Sequence, residues 1–354
     1  MASSLNNSAW LEWMTTLMGG VSRHTYASTL PPNRFYCLLD ELPLHLIPQR
    51  ALRSLRRREH GHEPLFLNPE CIVCAAGQVP EELVSRRALL SGFALQGTVA
   101  WVRGAATENL LPFWLGPQLE AVLQDLRPNE PLPSSVPDSA KNLLAAAGIV
   151  LPIGKNKNEG QTDAPDRQRQ ENVRKASAIF REKEYAPLPE LIHPFHIAAL
   201  RRYYRYLIRT GVIALGDAQS PRRYVAYNEP VARFFHHDIA AALSAVAGES
   251  LKPSYVYLAS YLSGAELKKH TDREQCEFSV TLCLDFSPEP VLETPWPIRL
   301  DSSTGTVTVY QALGDGLAYR GTRLPHYRGP LGDGQTSTSI FFHYVAADFA
   351  GSLD

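Results

Sequence analysis

The sequence predicts an α+β protein: a mixed α/β N-terminal region, a polar connecting stretch, and a C-terminal jelly roll braced by helices. Three observations carry this. Over residues 255–345 apolar side chains recur at every second position in short runs, with turn residues about every ten positions and no helices between, which is the pattern of a β-sandwich or jelly roll. Over 194–208 and again over 226–248 the apolar spacing is helical, and over 90–153 strand-like and helix-like stretches alternate.

The chain of 354 residues has room for two domains, or three small ones. Trp10, Trp13, Met14 and Leu17 fall at helical spacing and read as a short amphipathic helix packed on the body. Arg50, Arg53, Arg56, Arg57 and Arg58, ending in Glu59-His60-Gly61-His62, read as a solvated helix face in preference to a surface for an acidic partner. Residues 98–102 read as a strand. Residues 117–126 place Leu119, Val122, Leu123 and Leu126 on one helical face. A proline-rich connector leads to a second helix over 139–147, stopped by Gly148, and then to Ile149-Val150-Leu151. This order of elements is similar to the small winged-helix modules that bind leader peptides in ribosomal peptide modification, so residues 1–153 are expected to form a peptide- or partner-binding module.

Residues 154–190 are strongly polar with mixed charges and read as a linker or an exposed helix. The domain boundary is placed there, leaving 191–354 as the C-terminal domain. It opens with a helix over 194–208, whose Ala198, Leu200, Tyr203, Tyr204 and Leu207 brace the sheet. A second helical stretch starts at Asn228-Glu229-Pro230, with Phe234, Ile239, Leu243 and Val246 inward. His236 and His237 on it read as structural or surface residues.

The strands follow. Val256, Leu258 and Tyr261 lead to a turn at Ser263-Gly264. Phe278, Val280, Leu282 and Leu284 alternate with Ser279, Thr281, Cys283 and Asp285. After proline-rich turns over 288–297 come strands at 298–300 and 306–310. Gly314-Asp315-Gly316 turns the chain into 317–320, and 338–345 is the last strand.

The chemistry sits between these strands. His270 and Asp272, two positions apart at a strand end, project from one face and can hold one metal ion. His326 is the candidate third ligand. Two histidines and a carboxylate leave the other positions of an ion open, the arrangement used for ferrous iron that activates oxygen. A solitary His-x-Asp more often marks a capped turn or a surface pair; the frame around this one is what distinguishes it.

That frame is Tyr261-x-x-Gly264-x-x-Leu267-x-x-His270-x-Asp272, then Gly314-Asp315-x-x-x-Tyr319-Arg320-Gly321 ahead of His326, then the terminal Phe341-Phe342-His343-Tyr344-Val345. It resembles the iron(II)- and 2-oxoglutarate-dependent dioxygenases, in the prolyl-hydroxylase-like branch, over residues 190–350. The resemblance implies a double-stranded β-helix (a cupin-like jelly roll) with His270, Asp272 and His326 as both catalytic residues and iron ligands. It further implies 2-oxoglutarate as cosubstrate, O2 as oxidant, and hydroxylation of an unactivated C–H bond. Halogenating relatives lack the carboxylate, and Asp272 fills that position here. The chain departs from the pattern at one place: the basic residue that usually anchors the far end of 2-oxoglutarate would stand at the start of the last strand, where Gln335, Thr336, Ser337 and Thr338 occur. A buried carboxylate needs a paired charge, so Arg328 and Arg320 are the candidate anchors, with Tyr257, Tyr261 and Thr338 as hydroxyl donors. Arginine suits the task because its planar fork meets a carboxylate with two bonds.

Arg273 and Glu274 stand at the rim where substrate would approach. His343 reads as a core or supporting residue, and Cys276 and Cys283 as buried thiols. A net charge of −1 argues against nucleic acid or an anionic membrane as the main partner. The N-terminus has neither a basic n-region nor an uninterrupted apolar run. Five cysteines do not suggest a disulfide framework, and Cys71-x-x-Cys74 has no second pair with which to build a zinc site; a reducing cytoplasm is expected. The large N-terminal region favours an amino-acid side chain in a peptide or protein as substrate, with a free small molecule such as an amino acid as the alternative. The reading from a different class is a non-catalytic metal-binding roll.

Overall fold

The computed structural model describes residues 34–50, 64–104, 109–124, 126, 130–152, 164–218 and 220–354. The expected helix of Trp10, Trp13, Met14 and Leu17, the segment from Arg53 to His62, and residues 154–163 lie outside them. No helix among the described residues is long and apolar enough to cross a membrane.

The N-terminal region carries β1 (Leu65–Leu67), β2 (Cys71–Cys74), β3 (Val99–Arg103), β4 (Leu110–Trp114) and β5 (Val150–Pro152). β2, β3 and β4 form an antiparallel sheet, and β1 pairs with β5. The expected helices appear as Pro117–Gln124 and Asp138–Ala146. Gly148 follows the second with φ at 75°, a left-handed conformation that glycine adopts without strain.

The C-terminal half contains β6 (Tyr185–Leu188), β7 (Ala214–Leu215), β8 (Arg223–Tyr227), β9 (Leu251–Tyr261), β10 (Leu267–His270), β11 (Phe278–Ser287), β12 (Ile298–Ser302), β13 (Gly305–Val309), β14 (Gly316–Arg320), β15 (His326–Arg328) and β16 (Thr336–Ala346). The large sheet runs β6-β14-β11-β16-β9-β8-β7 and the small one β10-β15-β12-β13, antiparallel throughout. From β9 to β16 the chain passes repeatedly between the two sheets, which makes the jelly roll. Leu317 and Tyr319 of β14 pack against Ile298 and Leu300 of β12 across its interior.

The alternation of each strand decides what faces where. Phe278, Val280, Leu282 and Leu284 of β11 join Ile340, Phe342 and Tyr344 of β16 and Val256 and Leu258 of β9 in the core shared with the helices. The helix Pro194–Arg209 braces this outer face: Arg201, 1% exposed, donates to Asp285 Oδ1 at 2.9 Å and Arg205 to Asp285 Oδ2 at 2.6 Å. The second helical stretch is two helices, Pro230–Asp238 and Ala240–Ala247. Glu229 caps the first by accepting from the backbone N–H groups of Val231 and Ala232.

The N-terminal region packs on the far side of these helices. Phe35 meets Trp114, Tyr203 and Phe235 edge-on, and the two parts of the chain share one apolar core. Of the two readings of 154–190, a linker or an exposed helix, the structure takes the helix from Ala164 onward, with one face buried. Ala164–Lys183 is a helix whose Val173, Ala176, Ile179 and Phe180 turn to the core, and Tyr185–Leu188 then adds β6 to the large sheet beside β14. A stripe that narrow hardly registers in the mean polarity of the segment.

Candidate metal and cosubstrate site

β10 and β15 are antiparallel neighbours with His270 opposite His326, and their rings lie 4.4 Å apart. Asp272 follows two residues past the end of β10, its N–H donating to Gly321 O at 2.9 Å. The Nε2 atoms of His270 and His326 each stand 3.5 Å from Asp272 Oδ1, and the three donor atoms all lie within 4.8 Å of one another. The sequence pattern therefore brought together the residues it named. His270 Nδ1 is 2.7 Å from Lys268 O and His326 Nδ1 is 3.0 Å from Leu324 O. A carbonyl only accepts, so each Nδ1 carries a proton and each Nε2 turns its lone pair to the shared point. The donor set, two neutral imidazole nitrogens and a carboxylate oxygen, fits a ferrous ion with open positions.

Asp272 is held from behind. Ser279 Oγ donates to Asp272 Oδ2 at 3.0 Å, and His343 Nδ1 lies 2.9 Å from the same Oγ. Because the Ser279 proton goes to Asp272, His343 Nδ1 is the donor to Ser279. Gly321 leaves room for this arrangement: a Cβ there would stand 2.3 Å from Asp272 Oδ2 and 2.4 Å from Cys276 O. His343, expected in the core or in support of the ligands, faces the inside of the roll beside the site, where it bonds to Ser279. Asp272, Cys276 and His343 also place donor atoms close enough to hold an ion, but Cys276 Sγ is engaged 2.9 Å from Tyr255 Oη.

The electrostatics follow from the contacts. Burial works to raise the Asp272 carboxyl, but the hydrogen bond with His270, the charges of His326 and His343, and Ser279 hold it below the usual range. When His270 takes up a second proton its Nε2 donates to Asp272, and this bond raises His270. Burial lowers His326 and takes His343 down to about 4. His270 is 40% exposed and His326 3%, so the site opens to solvent on the His270 side.

Arg328, two residues beyond His326, projects from the same side of β15 into the roll and is 5% exposed. Its guanidinium lies 4.8 Å over the Trp296 ring, donates to Trp296 O and, at 3.2 Å, to Gln311 Oε1, and its Nε has no partner. Among the described residues no carboxylate pairs with it. Tyr261, 2% exposed, lies edge-on to Trp296 at 5.1 Å in the same inner cluster. Tyr257 faces inward but donates to Asp217 Oδ2 at 2.7 Å.

Two candidates face away from the site. Arg320 is one position past the inward Tyr319, so it turns to the outer face, pairing with Glu249 at 2.8 Å and Glu277 at 3.3 Å over the Phe278 ring. Thr338 lies on the outer face of β16, donating to Ser260 Oγ at 2.8 Å. Neither reaches the interior, which corrects both expectations.

Sequence reasoning missed three groups. Tyr319 sits inside the roll 4.8 Å from the His326 ring, its Oη 3.3 Å from Thr281 Oγ1. Arg223, opposite Tyr261 in the sheet, is 4% exposed and donates to Asp217 Oδ2 at 2.6 and 3.0 Å. Gln311 and Trp296 shape the surroundings of Arg328. Only the inward parity of Ser279, Thr281 and Cys283 was available as a signal, and it marks the lining without assigning roles.

No protein-family model matches the chain, and no curated protein matches it. Solved structures similar to it include the non-heme alpha ketoglutarate dependent epimerase SnoN from nogalamycin biosynthesis, at 15% identity over 50% of this chain and 84% of that one, TM-score 0.43. A Pseudomonas putida prolyl-4-hydroxylase is similar at 14% identity over 49% of this chain and 100% of that one, TM-score 0.40. HygX from Streptomyces hygroscopicus, with nickel, 2-oxoglutarate and hygromycin B bound, is similar at 13% identity over 50% and 88%, TM-score 0.41.

Proposed function

We propose that the roll is an iron(II)- and 2-oxoglutarate-dependent oxygenase that hydroxylates an unactivated C–H bond. The observation that carries the reading is Arg328: a buried guanidinium with no carboxylate partner among the described residues, on the strand that supplies His326. A buried charge with no counter-ion costs several kcal/mol, so an anion from outside completes the site. Positions i and i+2 of a strand are about 7 Å apart on one face, on the order of the length of a 2-oxo diacid that meets the ion at one end and Arg328 at the other.

The residues then have distinct tasks. His270, Asp272 and His326 would hold the iron, with Ser279 and His343 keeping Asp272 Oδ1 turned to it. Arg328 would bind the far carboxylate with its fork, Tyr261 and Trp296 excluding water around it. Bound together, ferrous iron and 2-oxoglutarate supply the oxidising power of O2 toward a C–H bond, with succinate and carbon dioxide as coproducts. The described part of the N-terminal region lies behind the helices, so the described walls of the metal site belong to the roll, whether the substrate is a residue of a peptide or a free small molecule.

Anaerobic titration of the apoprotein with ferrous iron and then 2-oxoglutarate tests this through the visible charge-transfer band of the chelate. The band is expected in the wild type, absent in Asp272→Ala, shifted to at least tenfold higher 2-oxoglutarate in Arg328→Ala, and unchanged in Arg320→Ala. Iron binding with no band at any 2-oxoglutarate concentration would leave a metal-binding roll and no oxygenase.

A further inference from the structure

Arg273, the residue after Asp272, leaves the ligand loop at the exposed rim. Its guanidinium lies 4.6 Å over the Tyr255 ring; Nε donates to Tyr255 Oη at 3.3 Å and Nη2 to Tyr227 Oη at 3.5 Å. The two phenol rings stack at 5.0 Å. Arg201, Arg205, Arg223, Arg320 and Arg323 all have carboxylate partners, whereas among the described residues the partners of Arg273 are neutral phenols. A guanidinium has five N–H donors, so two long bonds to phenols orient it and leave donors open to solvent.

The cradle is continuous with the metal site. Tyr255 stands on the inward row of β9, 4.7 Å from the His343 ring, and His343 reaches Asp272 through Ser279. Tyr227 is 47% exposed and forms the outer wall. An anion docked on Arg273 would therefore sit at the mouth of the site with its carbon skeleton against the tyrosines.

We infer that the substrate carries a carboxylate that docks on Arg273 between Tyr255 and Tyr227, making Arg273 a specificity-determining residue. This rests on the oxygenase reading. Arginine stacked on an aromatic face keeps the fork geometry that a carboxylate meets with two bonds.

The test uses full-length holoprotein, anaerobic with ferrous iron and 2-oxoglutarate, and 4-fluorobenzoate as probe, followed by fluorine NMR. The chelate band is recorded first in each sample; its absence in the wild type sinks the oxygenase reading and is seen before any probe is added. With the band present, saturable 4-fluorobenzoate binding is expected in the wild type, at least tenfold weaker in Arg273→Met and intermediate in Arg273→Lys, with no saturable binding of 4-fluorobenzamide. The assignment would be overturned by equal affinity in the wild type and Arg273→Met, by no saturable binding in the wild type, or by loss of the chelate band in Arg273→Met, which would place the arginine in the cosubstrate site. Tighter binding of 4-fluorophenylphosphonate than of the benzoate would likewise overturn a carboxylate in favour of a phosphate.

Discussion

Ser279 Oγ donates to Asp272 Oδ2 at 3.0 Å while Asp272 Oδ1 faces both histidine Nε2 atoms at 3.5 Å. One oxygen of the carboxylate is thus committed to the protein and the other is presented to the metal. An ion bound there would take a single oxygen from Asp272, which keeps more of its coordination positions for other ligands.

Removing the Ser279 hydroxyl leaves Asp272 Oδ2 without that donor and frees the carboxylate to rotate. Groups that orient metal ligands commonly contribute about 10–100-fold to metal affinity. Ser279→Ala is therefore expected to weaken ferrous iron at least tenfold, read by competition with a chelator, while Ser279→Thr, which keeps the hydroxyl, restores most of it. Unchanged affinity in Ser279→Ala would mean that the hydrogen bond does not orient the ligand.

Gly321 is required by proximity. A methyl group there would meet Asp272 Oδ2 at 2.3 Å, Cys276 O at 2.4 Å and Ser279 Oγ at 2.8 Å, and the backbone carbonyl among these cannot swing aside. Gly321→Ala is expected to abolish stoichiometric iron binding and to lower the Tm by several degrees, since overpacking of this kind typically costs about 1–3 kcal/mol. Calorimetry together with metal analysis checks both; a variant that binds iron normally would show that the loop relocates.

Arg328 sets stability against function. Desolvation of its buried guanidinium disfavours the apoprotein, and among the described residues the fork has Trp296 O and Gln311 Oε1 as its acceptors. Arg328→Met keeps the bulk and removes the charge. The apo form of this variant is expected to unfold at equal or higher urea than the wild type, and 2-oxoglutarate with iron, which raises the wild-type midpoint by linkage, is expected to leave the variant's almost unchanged. A lower apo midpoint would mean that the arginine is already satisfied by the protein.

How far the sequence reached depended on parity and on distance. His270, Asp272 and His326 were legible because a spacing of two on a strand end and an ordered frame constrain them locally. Arg320 and Thr338 were misplaced because one position along a strand reverses the face: Tyr319 looks into the roll, so Arg320 looks out, and Ser339, Phe341 and His343 look in, so Thr338 looks out. Arg223 enters the site through β8, which pairs it with Tyr261 of β9 more than thirty residues on, and Asp217 comes from the turn before β8; no local pattern reports such a pairing. The buried stripe of the helix Ala164–Lys183 was hidden because Val173, Ala176, Ile179 and Phe180 are interleaved with the polar Asn172, Arg174, Lys175, Arg181 and Glu182.

Acid stability follows from histidines that the fold keeps neutral. His236, 2% exposed, places Nε2 2.7 Å from His343 O, and burial pushes it down to about 3; His196, fully buried with Nε2 2.9 Å from Pro112 O, is likewise pushed down to about 3. In the unfolded chain both titrate near the ordinary value of about 6.5. Between there and about 3 the unfolded state binds protons that the native state does not, so stability is full above pH 6.5 and falls as the pH falls. Each histidine contributes roughly 1 kcal/mol per pH unit to that fall. His236→Gln can keep a donor to His343 O and removes one titrating group. Urea midpoints of the apoprotein between pH 7 and pH 4.5 are therefore expected to decline for the wild type and to decline less steeply for His236→Gln; equal slopes would mean that His236 takes up its proton in the native state.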